Sequence, residues 1–465
     1  MKKSILFLVA CLMCATFGLQ AQDNQDGGNN IPQYQRSSLH MILLRTDEPR
    51  LEGGYDFSSI LTESWQNYPF PDKYNKHDIP FVEAYGGAPK GSLMEILHQY
   101  RGKEVSLGDA IAITAMLADN KEYNNQLIEK TQSIIDEQKI GNQLIKKWFN
   151  IQDDGSWNWD LLAERALYNA NQSDVAEAQA TLAGVRQIID DAEDMISNTF
   201  VTFSKLAFYE TEPVAALTRD LALIVASQLP GVAQVAAVAA AKATYAATSR
   251  GYTAETTTLL YKLEWNEDIK NAFYAMFGED GKINMESFNT FVFPMELIGV
   301  DKANSNAIDA LGGLSQSLGV DNMIESFGGK GLAKDMSDLF KQTIIRNVDK
   351  ILAVMGKNYE VFAPVSQIIS VNPIVADMGM KEGLKGGEKF DLLEPVVDAE
   401  SGKVEWKSIG QLTVNKAKLW DNRYALTDEA IAAADKAEVK GTVLTPNNKK
   451  AAVGMVVKQV VKKKK

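Results

Sequence analysis

The chain has 465 residues, 45% of them hydrophobic and 23% charged, and carries a formal net charge of −12. That length and apolar content suffice for two or three domains with cores of their own. The negative balance repels phosphate backbones and excludes nucleic acid as an expected partner.

Lys2 and Lys3 precede an apolar run from Ile5 to Phe17, and Gly18-Leu19-Gln20-Ala21 follows ahead of the polar Gln22-Asp23-Asn24. This order of charged, apolar and small residues predicts a secretory signal peptide over 1–21, cleaved after Ala21. Leu8-Val9-Ala10-Cys11 is a competing lipobox, but lipidation at Cys11 would put the apolar Leu12 to Leu19 where a polar tether is expected. Export to the periplasm or outer surface follows. Both cysteines, Cys11 and Cys14, leave with the signal peptide, as do two lysines and no acid, so the mature chain carries −14. It then has no disulfide, thiol nucleophile or cysteine-ligated metal.

Residues 22–34 are polar and rich in Gly and Asn, the composition of a disordered leader. Ser38 to Leu44 reads as a buried strand. Helical spacing follows at 93–100 and 107–117, and one long helix is expected from about Glu122 to Phe149. Helices resume at about 158–168 and 174–197. The β-rich run Thr199 to Phe203 has its expected strand partner in Thr256 to Trp265. Between them, within 213–248, an Ala-rich stretch holds no charge from Leu221 to Ala241 and has Pro230-Gly231 at its middle. Proline and glycine together stop one helix and let the chain reverse, so a helical hairpin is expected. Membrane contact through Leu221 to Ala241 is the competing reading, disfavoured because alanine is weakly apolar and Pro230-Gly231 divides the span. Beyond it come a helix to Phe277, a strand candidate at Phe291 to Val300 and a helix from Met336 to Met355. From Val365 onward β-formers dominate, with turn signals at Gly386-Gly387, 400–403 and 446–448.

The expected fold is therefore α+β: a mostly helical N-terminal region with a small sheet over 35–360, then a small C-terminal β-barrel over 361–461, then the lysine tail 462–465. The tail reads as a solvated terminus.

The run from Ala376 to Leu393, with Ile409 to Val414 after it, resembles the small β-barrel module at the C-terminal end of flagellar assembly and other envelope-associated proteins. Trp148-Phe149-Asn150, Ala192 to Val201, Lys262 to Glu267 and Trp420 to Tyr424 resemble an uncharacterised family of exported Bacteroidetes-type proteins. That resemblance implies an envelope address and supplies no catalytic residue.

Chemistry-bearing motifs are sparse. His40, His77 and His98 lie far apart and in no zinc-ligand spacing. Gly328-Gly329-Lys330-Gly331 lacks the order of a phosphate loop. Asp153-Asp154-Gly155 and Gly278 to Lys282 resemble halves of calcium loops, but Met276 and Leu161 fall at ligand positions, which leaves turns as the better reading. Asp190, Asp191, Glu193 and Asp194 share one expected helix and read as a solvated face. Trp157 and Trp159 suggest either a sugar platform or, preferably, a helix anchor. No cofactor and no metal are expected, and no catalytic residue can be named. The reading is a non-enzymatic envelope or surface protein that acts by interaction with an envelope protein or polysaccharide. The alternative is a glycan-active hydrolase whose Asp and Glu residues sequence cannot pair.

Overall fold

The computed structural model describes residues 37–45, 57–71, 73–86, 106, 108–109, 121–158, 160–169, 195–249, 251–308, 336–397, 404–423, 440–446 and 450–461. The signal peptide, the leader, the helix expected at 93–100, most of those at 107–117 and 174–197, and the lysine tail lie outside them.

The first sheet is built on β1 (Ser38–Arg45), β4 (Thr199–Glu210), β5 (Gly251–Leu263) and β6 (Met295–Ile308), with the short β2 (Asn75–Lys76) and β3 (Glu83–Tyr85) both pairing with β1. The order is β2-β1-β4-β5-β6. β1 runs parallel to β4, and β4, β5 and β6 are antiparallel in turn. The two β-rich runs seen in sequence pair with Phe200 opposite Lys262 and Glu210 opposite Tyr252.

Alternation along these strands sends successive residues to opposite faces, and both faces are covered. On one face Ile42, Val201, Phe203, Leu259 and Tyr261 pack against α2 (Lys121–Gln138) and α3 (Ile140–Trp148). On the other, Leu39, Phe200, Leu260 and Ala303 meet Val348, Ile351, Leu352 and Met355 of α9 (Met336–Asn358). That second face also carries buried hydroxyls. Ser204 and Thr258 hydrogen-bond each other at 2.8 Å, and Asn347 of α9 joins Thr256 and the Ala254 carbonyl. Thr256 and Thr258 of β5 are thus partnered where burial would otherwise leave them costly. The remaining helices are α1 (Phe57–Gln66), α4 (Asp160–Asn169), α5 (Thr211–Ala226), α6 (Gly231–Thr248), α7 (Glu267–Tyr274) and α8 (Met285–Thr290).

The second sheet comprises β7 (Val365–Val371), β8 (Ile374–Ala376), β9 (Lys389–Val397), β10 (Val404–Val414), β11 (Thr442–Thr445) and β12 (Val456–Gln459), which close on themselves in the order β10-β11-β8-β7-β12-β9. Ile368, Ile374, Phe390, Leu392, Leu412, Leu444 and Val457 fill it. Gly386 and Gly387 enter it at φ 100 and 93, values that favour glycine.

The expected architecture is corrected in three respects. The protein is mixed, with two sheets and scattered helices, instead of a mostly helical N-terminal region bearing a minor sheet. Strands of 12, 13 and 14 residues make the first sheet the organising layer. Their Thr, Ser and Lys content masks the apolar alternation that marks a strand. The long helix expected to Phe149 is also two helices, because Lys139 takes a left-handed conformation at φ 48 between α2 and α3. The apolar spacing continues across the break, so periodicity alone could not reveal it. The strand candidate at Phe291 to Val300 begins later, at Met295.

Candidate functional site

β4 passes into α5 without a loop, and α6 returns the chain to β5, so the α5–α6 hairpin grows from the end of two long paired strands. At its root the Arg219 guanidinium lies 4.5 Å from the Tyr245 ring centroid, and the Tyr245 hydroxyl donates to Glu212 at 2.9 Å. Ala226 and Ala241 are buried, as small residues that let two helices approach closely.

The end of the hairpin is different. Every residue from Ser227 to Ala236 is exposed. Val232 is 86% exposed, Val235 70% and Val225 62%. The expected helical hairpin is present, but its end does not bury its apolar residues within the protein. An apolar helix end bare on all sides is the unusual observation on this molecule, since helices apolar all round are ordinarily buried. Among the described residues no helix is long and apolar enough to cross a membrane.

The residues singled out for chemistry lie elsewhere and have structural partners. His77 is fully buried beneath the first sheet. Its Nε2 lies 3.1 Å from the Leu144 carbonyl, and its Nδ1 lies 3.0 Å from Arg165. Arg165 also donates to Ser38 Oγ and the Lys76 carbonyl, each at 2.8 Å, and stacks 4.5 Å over Trp148. This assigns the neutral tautomer: Nδ1 accepts from the guanidinium, and Nε2–H donates to the carbonyl. Burial, then the Arg165 charge, holds the His77 pKa well below its usual value. Arg165 is itself pushed down to about 10 by burial. His40 is likewise lowered by burial, with Nε2 2.7 Å from the Phe81 carbonyl. His98 lies outside the described residues.

The two turns that resemble calcium half-loops stand side by side. Ile283 N–H donates to the Gly155 carbonyl at 2.9 Å, and Lys282 Nζ donates to Asp154 Oδ2 at 2.7 Å. An ammonium thus sits on the carboxylate that a cation would need. Among the described residues no group of three or more His, Cys, Asp or Glu could hold a metal ion. Trp157 bridges the same two turns, its Nε1 donating to the Gly281 carbonyl at 2.9 Å and its ring edge-on to Phe277 at 5.1 Å. It anchors chain segments and packs, partly buried, against the first core. Trp159, Asp190, Asp191, Glu193, Asp194 and Gly328 to Gly331 lie outside the described residues.

Carboxylates do gather at the seam between α9 and the closed sheet, but they are engaged there. Tyr68 donates to Asp349 Oδ1 at 2.6 Å, with Lys381 Nζ 4.0 Å from the same oxygen. Burial raises the Asp349 pKa. Glu382 Oε2 accepts from the Gly379 N–H at 2.6 Å and from Asn422 Nδ2 at 2.8 Å. Lys357 Nζ donates to the Gly383 carbonyl at 2.8 Å and adds a further tie. Sequence spacing could not find this group, because it joins residues 68, 349, 382 and 422. Compared with known proteins, the chain matches no family model, and no curated protein is significantly similar to it.

Proposed function

We propose that this chain is an exported envelope or surface protein that acts by interaction and not by catalysis, and that the end of the α5–α6 hairpin docks shallowly into a lipid surface. The observation that carries the reading is the exposure of Val225, Leu229, Val232 and Val235 on a hairpin with no charge between Asp220 and Lys242. A protein groove covers one side of a helix; a bilayer covers an inserted tip all round, and this tip is bare all round. The dimensions fit one leaflet. The twelve residues from Gly231 to Lys242 rise roughly 18 Å as helix, against about 15 Å for half of a hydrocarbon core. Arg219 and Tyr245 at the root stand where interfacial anchors are found.

The seam carboxylates lend the hydrolase alternative no support, because Asp349 and Glu382 are engaged in hydrogen bonds that tie segments together. The test is flotation of the purified chain with neutral phosphatidylcholine vesicles. Wild type is expected to float, and V232D/V235D to remain at the bottom with its far-ultraviolet circular dichroism unchanged. Wild type that stays unbound under these conditions overturns the lipid reading.

A further inference from the structure

A row of three residues crosses the first sheet where its apolar face against α2 gives out. Lys205 of β4 stands opposite Thr257 of β5, and Thr257 stands opposite Lys302 of β6. Residues directly opposite one another project to the same face, and strands about 4.8 Å apart place the two lysine backbones roughly 10 Å apart. Glu255 lies two residues along β5 and so shares that face. Tyr123, in the first turn of α2, covers the row. Lys205 Nζ is 4.7 Å from its ring centroid and Lys302 Nζ is 5.3 Å from it.

Lys205 is 3% exposed and Tyr123 7%, while Lys302 and Glu255 are half-buried. Among the described residues, neither lysine makes a hydrogen bond or an ion pair, and Glu255 acts on them only through space. A buried ammonium without a partner is costly, and one ring face compensates two cations only in part. Burial pushes Lys205 down to about 8, with Glu255 opposing and Lys302 adding to the shift. Burial lowers Lys302 and raises Glu255 as well. A purely structural use of these residues would bring Glu255 into contact with one lysine, or place apolar side chains in the row. Instead the row leaves two ammonium groups converging beneath an aromatic wall that Thr257 hydrogen-bonds, with one positive charge in excess.

We propose that Lys205 and Lys302, walled by Tyr123, bind one oxyanion group of a small ligand, a phosphate or a carboxylate. The anion accepts from both ammonium groups, with Thr257 between them holding the Tyr123 wall by a hydrogen bond, and it supplies the charge that the row lacks. The half-buried Lys302 marks the side from which a ligand enters. This site is independent of the hairpin and of what the hairpin contacts.

The test uses the full chain carrying lysine labelled with ¹³C at the ε position, with the Lys205 resonance identified by its loss in K205R. The pH midpoint of that resonance is followed at constant ionic strength in chloride, in inorganic phosphate and in succinate. An anion held against the ammonium favours its charged form, so the midpoint is expected to rise by about one unit in phosphate, in succinate or in both. Which anion acts assigns the ligand class. In K302Q, a change at the more exposed position, roughly tenfold more anion should be needed for the same rise. A Lys205 midpoint that is the same in all three salts, or a response that K302Q leaves intact, overturns the proposal.

Discussion

A Cβ atom added at Gly141 would stand 2.1 Å from the Phe293 carbonyl oxygen. The first turn of α3 is pressed onto the segment that follows α8, and Asn142 beside it donates to the Phe288 carbonyl at 2.9 Å and the Phe291 carbonyl at 2.7 Å. The close approach also explains why the helix expected to run unbroken is interrupted just before, at Lys139. G141A is expected to cost about 2–4 kcal/mol, because backbone must move in a filled interior. Urea unfolding measures this, and a loss under about 1 kcal/mol would show that the two segments can separate freely.

His77 makes stability fall on mild acidification. Its folded pKa lies well below 6.5, so the unfolded chain takes up the proton first as pH drops. The stability it contributes is therefore fully present above pH 6.5 and is lost as pH falls below that value. Each such histidine gives a slope of up to about 1.4 kcal/mol per pH unit. His40, also lowered by burial, acts in the same window. Urea unfolding of wild type from neutral pH to pH 5 should show this slope, and H77Q should flatten it. An identical slope in H77Q would place the titration elsewhere.

The paired turns at Asp154 and Lys282 are expected to ignore calcium. The Lys282 ammonium holds the Asp154 carboxyl well below the usual carboxylate range, so the charge that a metal would seek is already neutralised. Neither added calcium nor chelator should move the thermal midpoint of the full chain. A calcium-dependent rise that D154N abolishes would show that the lysine is displaced.

Residues 361–465 are expected to fold without the rest of the chain, because the closed sheet has a core of its own. The seam should still matter. Lys357 and Asp349 of α9 hold the 379–383 turn from outside the fragment, so the isolated piece should melt below the corresponding transition of the intact chain. A collapsed amide proton spectrum of the fragment would mean that the domain boundary placed near residue 361 is wrong.

Legibility in the sequence followed the physics of each element. The β-rich runs at 199–203 and 256–265 were readable because Thr, Phe, Tyr and Leu favour a half-buried pleat, and Pro230-Gly231 marked where the hairpin turns. The full length of β4 to β6 was not readable, since Ser204, Lys205, Thr256 and Thr257 are buried polar residues, and the partners of Ser204 and Thr256 come from another strand and from α9. The row of Lys205, Thr257 and Lys302 exists only in the register of three strands and leaves no trace in linear spacing. The bare end of the hairpin was not readable for a related reason: an uncharged alanine-rich stretch reads the same whether it is covered or not.

Glu210 and Tyr252 are still paired at the root of the hairpin, so β4 and β5 keep their register up to the point where the helices begin. A short reverse turn could close the same two strands. The forty or so residues between them therefore behave as an interchangeable cassette mounted on a finished scaffold. Change in the cassette, in length or in apolar character, is insulated from the folding of the sheet, and what this protein touches can diverge while the body that carries it stays the same.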